Sequence, residues 1–215
     1  MPFQYSCFVS YRHLEASVQA RVFMESLRRT LRGELAMTVD EDIYIADEHL
    51  EGGKLIDAKL AMALCRSICM LVVYTPTYFS HQHLYCAREF RAMEQLEGER
   101  LKKLSLALGR EHGLIIPVVL RGRNSLPAYI GKQRDCYNFE DLLLVARRPD
   151  RDPQFERTVR RIAADIHTRC QLLSPLNSDL TCGCDSFAFP GEDEVGPWVR
   201  TLMAPPPAFP FGSAQ

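Results

Sequence analysis

The sequence predicts a three-layer α/β fold, in which a five-stranded parallel sheet is flanked by helices. Short apolar runs alternate with segments of helical periodicity, the order that parallel strands joined by right-handed crossovers require. Two runs, 68–74 and 114–120, are apolar without alternation, as expected of strands buried on both faces. The 215 residues suit one domain, placed at 1–170, followed by a proline-rich, irregular extension at 171–215 without an amphipathic period.

Each element is predicted by its own local pattern. Apolar residues at helical spacing indicate amphipathic helices, and Gly33 is expected to close the first of them. Asp152 and Pro153 are expected to open the last helix. Pro117 lacks a ladder donor, so the fourth strand should be irregular or near an edge. The elements are strand 5–10, helix 18–33, strand 43–45, helix 55–65, strand 68–74, helix 84–96, strand 114–120, strand 136–139 and helix 153–166.

Composition argues against several classes of protein. A formal net charge of -1 does not favour a grip on nucleic acid through phosphate neutralisation. No apolar run is long enough to span a bilayer and no targeting segment is visible, so we expect a cytoplasmic protein without a membrane partner. In a reducing cytosol the eight cysteines are expected to be free thiols. The clusters His81–His83–Cys86 and Cys182–Cys184 lack zinc-site spacing, so no metal is expected.

Polar residues follow three of the predicted strands. In a parallel sheet, ligands bind beyond the carboxyl ends of the strands, where the strand order switches. The loops that begin at Ser10, Asp47 and Thr75 meet this description, and the first of them continues into Tyr11 and Arg12. We therefore expect a ligand site at this edge of the sheet.

Glu89 is the candidate for chemistry at this edge. It lies one helical turn from Cys86, on a half-apolar face where partial desolvation raises the pKa of a carboxyl group. The alternative is a glutamate at the rim that pairs with Arg88, Arg91 or Arg12.

Six stretches, in order and at about the right spacing, resemble the motifs of Toll/interleukin-1 receptor (TIR) domains over residues 3–170. The resemblance implies the flavodoxin-like TIR fold. The stretches are FQYSCFVSYRH from Phe3, DEHLEGG from Asp47, ALCRS and ICMLVVYTPTYFS from Ala63, YCAREF from Tyr85, IIPV from Ile115 and the helical pattern from Phe155 to Ile166.

The resemblance implies an enzyme that cleaves nicotinamide adenine dinucleotide (NAD⁺), its substrate rather than a cofactor. YCAREF is similar to the aromatic-Cys-x-x-Glu motif of NAD-cleaving TIR domains, which makes Glu89 the catalytic carboxylate beside the nicotinamide ribose. Tyr85 replaces the usual Trp, and the gap of four residues between Ser80 and Tyr85 is longer than usual, which leaves the placement of Ser80 open. Nicotinamide leaves from a cationic nitrogen without protonation, so one carboxylate suffices where ordinary glycosidases use two. The product is ADP-ribose if water attacks and a cyclic isomer if the same molecule does.

The resemblance also implies further ligand contacts. Tyr11 and Arg12 would lie on the adenine and phosphate side, and Arg12 has an alternative as a salt bridge to Asp47 or Glu48. Tyr78 either lines the pocket or caps the sheet. The positions expected to contact the ligand are Ser10, Tyr11, Arg12, Asp47, Leu50, Tyr78, Ser80 and Cys86.

The resemblance to TIR domains also implies binding partners. The loop at 47–54, with Leu50, Gly52 and Gly53, is similar to the one that rearranges when TIR domains stack, which implies self-association. The chain resembles stand-alone bacterial TIR proteins of anti-phage defence, which implies a sensor or effector partner, with 171–215 as the docking or packing segment. The alternatives are a non-catalytic TIR–TIR adaptor module, which typically lacks the motif glutamate, and a TIR virulence effector.

Overall fold

The structure is a computed structural model that describes residues 3–12, 18–40, 42–45, 54–104, 113–145 and 148–203. Its strands are β1 (Tyr5–Tyr11), β2 (Asp42–Ile45), β3 (Ser67–Tyr74), β4 (Ile115–Val119) and β5 (Tyr137–Asn138). Its helices are α1 (Val18–Leu35), α2 (Lys54–Cys65), α3 (Tyr85–Leu104), α4 (Ala128–Gly131), α5 (Glu140–Val145), α6 (Pro153–Leu173), α7 (Asn177–Leu180) and α8 (Glu192–Leu202).

The five strands form one parallel sheet in the order β2-β1-β3-β4-β5, and helices cover both of its faces. This confirms the predicted α/β class and the flavodoxin-like arrangement. Helices α1 and α6 pack together against one face, whereas α2 and α3 pack together against the other. Every residue of the central strand β3 is buried. Within the described ranges, no helix is both long enough and apolar enough to cross a membrane.

Two helices extend past their predicted ends, and the pairing of β4 explains the position of Pro117. Helix α1 does not end at Gly33 but continues to Leu35, whose side chain is buried in the core. Helix α3 runs past its predicted end to Leu104. Strand β4 is an inner strand, but β5 pairs only with Val118 and Val119, so Pro117 lies beside β3 alone within the described sheet. This explains how the sheet accommodates a residue without an amide donor.

The segment after residue 170 differs from its expectation. Helix α6 continues to Leu173, and α8 is an amphipathic helix that buries Val195 and Val199, so the absence of an amphipathic period was a wrong prediction. Helix α8 packs on α3. The expectation of free thiols is also wrong for one pair, because Cys65 and Cys184 form a disulfide.

Candidate functional site

The candidate site lies where β1 and β3 are neighbours at the switch in strand order. Ser10 and Tyr11, at the end of β1, pair with Val72 and Val73 of β3. From this point β1 leads into α1 on one face of the sheet, whereas β3 leads through a turn into α3 on the other. In parallel α/β sheets, the edge at such a switch in strand order is where ligands generally bind. Glu89, in the second turn of α3, lies at this edge.

A chain of three side chains connects β1, the turn after β3 and α3. The Ser10 hydroxyl donates a hydrogen bond to Glu89 Oε2 at 2.5 Å, and the Tyr78 hydroxyl lies 2.7 Å from the Ser10 Oγ atom. Because a serine hydroxyl has one proton, which goes to Glu89, the Tyr78 hydroxyl must donate to Ser10. Ser10 and Tyr78 are fully buried, and Glu89 is 4% exposed.

Burial dominates the electrostatics of Glu89. Loss of solvent raises the pKa of the Glu89 carboxyl group to about 7, while the Ser10 hydrogen bond and the Arg88 charge lower it and the Asp57 charge raises it. Arg88 forms its salt bridge with Asp57, at 3.0 Å. The alternative of a rim glutamate is therefore wrong, because the side chain is buried and its hydrogen-bond donor is the neutral Ser10 hydroxyl.

The Cys86 thiol and the Tyr78 hydroxyl beside Glu89 are neutral. Burial raises the pKa of the Cys86 thiol well above its ordinary value, and the Glu89 charge raises it further. Burial likewise raises the pKa of the Tyr78 hydroxyl, with additional contributions from Cys86 and Glu89. Cys86 is therefore a thiol rather than a thiolate at neutral pH, whereas the pKa of the Glu89 carboxyl group lies at about 7.

The structure separates the remaining predicted positions into three groups. Tyr11 and Arg12 follow Ser10 at the half-buried end of β1, where the Arg12 guanidinium donates to the Thr77 carbonyl oxygen at 2.7 Å. Ser80 belongs to the next turn, in which its hydroxyl accepts from the Gln82 amide. The predicted positions outside the described residues are Asp47 and Leu50, together with Glu48 and the rest of the loop up to Gly53.

Tyr78 lies in the core rather than on an open surface. Its ring is 0% exposed and meets Phe79 edge-on, with ring centroids 4.8 Å apart. This favours the sheet cap over the pocket wall, and it adds a contact that the sequence did not indicate, the hydrogen bond to Ser10.

Several residues near Glu89 were not predicted as part of the site. Asp57 and Arg88 form the nearest ion pair, and the single tryptophan of the chain, Trp198, stacks on Phe90. A lone Trp is a sequence signal for a packing anchor. Nothing in the sequence indicates that its partner is the helix that carries Glu89.

A groove of about 980 Å³ lies elsewhere, between α4, β5 and α6. Its polar side chains bind protein groups: Arg134 pairs with Glu97, and the Tyr137 hydroxyl donates to Asp165. Glu89, whose buried carboxyl group accepts its hydrogen bond from a hydroxyl among the residues that the structure describes, is the stronger candidate for chemistry.

A scan against protein-family models, a search of curated proteins and a search of solved structures each returned no match to this chain. Among the residues that the structure describes, no three His, Cys, Asp or Glu side chains converge as a metal ion requires. The geometry of the site is that of a buried carboxylate at the carboxyl edge of a parallel sheet.

Proposed function

We propose that this chain is an NAD⁺ nucleosidase in which Glu89 acts on the bond between nicotinamide and ribose. The observation that carries the proposal is a buried glutamate with a pKa of about 7, bound by a hydroxyl and lying at the switch point of the sheet. An ionised carboxylate in such a site, with little water to screen it, stabilises positive charge on a substrate more strongly than an exposed one.

One carboxylate matches the chemistry of this substrate. The bond from C1′ of the ribose to the nicotinamide nitrogen breaks with both electrons going to the nitrogen, which becomes neutral, so no acid is needed. Positive charge develops on C1′ and the ring oxygen, and the Glu89 carboxylate stabilises it. Attack by water, with loss of a proton, gives ADP-ribose, and attack by an atom of the same molecule gives a cyclic isomer.

We further propose that the domain acts when copies associate through the loop at 47–54, on a signal from a sensor or effector partner. A TIR-like domain that consumes NAD⁺ in response to such a signal fits a role in bacterial anti-phage immunity. The support for this step is the resemblance of the six sequence stretches, in order, to TIR motifs.

The test compares two glutamate variants of one helix. The wild type, Glu89→Gln and the exposed control Glu99→Gln are incubated with NAD⁺ at high protein concentration, and nicotinamide release is followed by chromatography. We expect NAD⁺ loss with the wild type and Glu99→Gln but not with Glu89→Gln, and mass spectrometry identifies the product. Equal loss with Glu89→Gln would contradict the role of Glu89. An inert wild type, shown by light scattering to be assembled, would support the adaptor module instead.

A further inference from the structure

The C-terminal segment is fixed to the domain at its start, next to the end of α2. The disulfide between Cys65 and Cys184 bridges 119 residues of sequence. Beside it, the Arg66 guanidinium forms a 2.5 Å salt bridge with Asp185. A covalent link and an ion pair at one point determine where the chain that follows can run. Residues 184–202 are called the strap below.

The strap then contacts the residue that precedes Glu89. The Arg88 Nε atom donates to the Pro190 carbonyl oxygen at 2.9 Å, and the guanidinium lies 5.7 Å from the centroid of the Phe189 ring. A second nitrogen, Nη1, donates to Asp57 of α2 at 3.0 Å. A planar guanidinium bound on two sides in this way has little freedom to rotate.

The end of the strap packs on the helix that carries Glu89. Trp198 of α8 stacks on Phe90, with centroids 6.1 Å apart, and meets Phe79 edge-on at 5.6 Å. Phe79 and Phe90 are the chain neighbours of Tyr78 and Glu89. The strap therefore contacts both α3 and the turn after β3, which are two of the three elements that form the site.

We propose that Arg88 is a positioning residue for Glu89 and that the strap holds Arg88 in place, so that the C-terminal segment is a working part of the site. Arg88 is close enough to favour the ionised carboxylate, but its hydrogen bonds go to Asp57 and Pro190. Glu89 is thus left for the substrate instead of being neutralised in an ion pair. Only the catalytic arm of the test rests on the proposed function.

The charge balance at Glu89 supports this role. The Arg88 charge lowers the pKa of the Glu89 carboxyl group against the larger effect of burial, and the Asp57 charge acts in the opposite direction. Within the described ranges, the titratable and charged groups near Glu89 are Arg12 after β1, Asp57 on α2, Tyr78 after β3, and Cys86 and Arg88 on α3. Burial keeps Tyr78 and Cys86 neutral, so Arg88 is the cation whose removal changes the ionisation of Glu89 most directly.

The first experiment measures the ionisation of Glu89 without any substrate. The ¹³C resonance of the Glu89 carboxyl group, assigned by its loss in Glu89→Gln, is titrated with pH in the wild type, Arg88→Gln and Lys102→Gln. Lys102 is an exposed residue of the same helix, and its variant makes the same change of charge. We expect Arg88→Gln to raise the midpoint by roughly one pH unit and Lys102→Gln to leave it unchanged. An unchanged midpoint in folded Arg88→Gln overturns the proposal.

The conservative variant Arg88→Lys separates charge from geometry. Lysine keeps the positive charge but cannot bind Asp57 and Pro190 with one planar group. Its midpoint should lie between those of the wild type and Arg88→Gln. If Arg88→Gln does not fold by circular dichroism, Arg88→Lys decides the question, because a midpoint equal to that of the wild type contradicts the need for the fixed guanidinium.

The second experiment releases the strap. Cys184→Ser breaks the disulfide, whereas Cys182→Ser removes an exposed free thiol two residues away. We expect the Glu89 midpoint to rise in Cys184→Ser alone. Treatment of the wild type with dithiothreitol should reproduce the rise, since the dithiol is oxidised to its cyclic disulfide as Cys65 and Cys184 become thiols. Equal midpoints in Cys184→Ser and Cys182→Ser would overturn the role of the strap.

The catalytic arm separates this inference from the proposed function. If the wild type cleaves NAD⁺, Arg88→Gln should lower kcat at pH 7 several-fold with little change in KM, because the Arg88 charge favours the ionised Glu89 carboxylate while its hydrogen bonds go to Asp57 and Pro190. Equal values of kcat would count against the positioning role. A wild type that is inert toward NAD⁺ would count against the proposed function alone, because the titrations of Glu89 decide the role of Arg88 without it.

Discussion

Helix α3 carries two buried glutamates in contrasting environments. Glu97 is 8% exposed and binds both terminal nitrogens of Arg134, at 2.8 and 2.5 Å, and it also accepts from the amides of Leu114 and Ile115. Glu89, two turns earlier and 4% exposed, accepts from the Ser10 hydroxyl. The same residue type on the same helix is charge-compensated at Glu97, whereas at Glu89 no cation of the described ranges forms a salt bridge with the carboxylate.

The difference indicates what each glutamate contributes. A buried carboxylate with a guanidinium and two amide donors is satisfied, and it fastens α3 to the start of β4 and to the loop before β5. A buried carboxylate bound by a hydroxyl is costly when ionised, and a folded protein has no structural reason to retain it. Perturbed acids of this kind gather at functional sites, which is why Glu89 rather than Glu97 is proposed to act on a substrate.

The largest expected effect is the loss of stability in Glu97→Gln. A glutamine amide cannot neutralise Arg134, whose side chain is 12% exposed, so a cation is left largely buried without its partner. We expect the free energy of unfolding to fall by about 3 kcal/mol, measured by urea denaturation at pH 7. A variant as stable as the wild type would show that Glu97 is not a structural glutamate and would remove the contrast with Glu89.

Glu89→Gln, in contrast to Glu97→Gln, should raise the free energy of unfolding at alkaline pH. The pKa of the Glu89 carboxyl group rises from 4.5 in the unfolded chain to about 7 in the folded protein, so the folded state binds the extra proton between these values. The wild type therefore loses stability as pH rises from 4.5 to 7, and the full cost is present above pH 7. Removal of the charge should stabilise the protein by up to about 3 kcal/mol at pH 8.

This gain should shrink toward zero as pH falls below 4.5, where Glu89 becomes protonated in both states. Melting temperatures of the wild type and Glu89→Gln across pH 4–9 measure the difference directly. A Glu89→Gln variant that is less stable than the wild type at pH 8 would mean that the carboxylate is satisfied in the folded protein.

Local patterns in the sequence predict the elements well because the core is built from local periodicity. The uniformly apolar run of β3 and the opening of α6 at Asp152 were both correct, and Asp152 accepts hydrogen bonds from two amides of the first turn. The prediction that α1 ends at Gly33 was wrong because a glycine destabilises a helix by only about 1 kcal/mol, and the burial of Leu35 outweighs this cost.

Helix α8 and the disulfide were missed for a different reason. Pro197 lies inside α8, and prolines around it resemble a linker, yet burial of Val195 and Val199 stabilises the helix. Cys65 and Cys184 are 119 residues apart, and nothing local shows that they meet. The Glu89 site is predictable only in part. Its motif identifies the carboxylate, whereas Ser10, which donates the hydrogen bond, is 79 residues away in sequence.

Ser10→Ala is expected to reduce NAD⁺ cleavage less than Glu89→Gln does. Loss of the hydrogen bond to Glu89 raises the pKa of the carboxyl group further, because that bond lowers it in the wild type. A hydrogen bond to a charged group contributes about 1.5–3 kcal/mol, so cleavage of NAD⁺ at pH 7 should fall about tenfold. Activity should recover above pH 8.5, where the carboxyl group ionises again. Ser6→Ala is the control, since Ser6 is a buried serine of the same strand that donates to the Asp42 carbonyl oxygen.

The smallest effect, and the sharpest test of the hydrogen-bonded chain, is expected from Tyr78→Phe. The lost hydroxyl donates to Ser10, which still donates to Glu89, so the pH midpoint of activity should rise by less than in Ser10→Ala. Tyr74→Phe is the matched control, because it also loses one hydrogen bond from a buried tyrosine, to the Ser125 carbonyl oxygen. Each variant should cost about 1 kcal/mol of stability.

Of these two tyrosine variants, only Tyr78→Phe should shift the pH midpoint of activity, because Tyr78 contacts Ser10 whereas the Tyr74 hydroxyl donates to Ser125. In a double-mutant cycle, Tyr78→Phe should have no further effect on the midpoint once Ser10 is alanine, since the residue through which it acts is gone. Additive shifts would instead show that Tyr78 influences Glu89 through packing around α3. Glu89 would then be controlled by burial, and the role of Ser10 as the link between β1 and the carboxylate would not extend to the turn after β3.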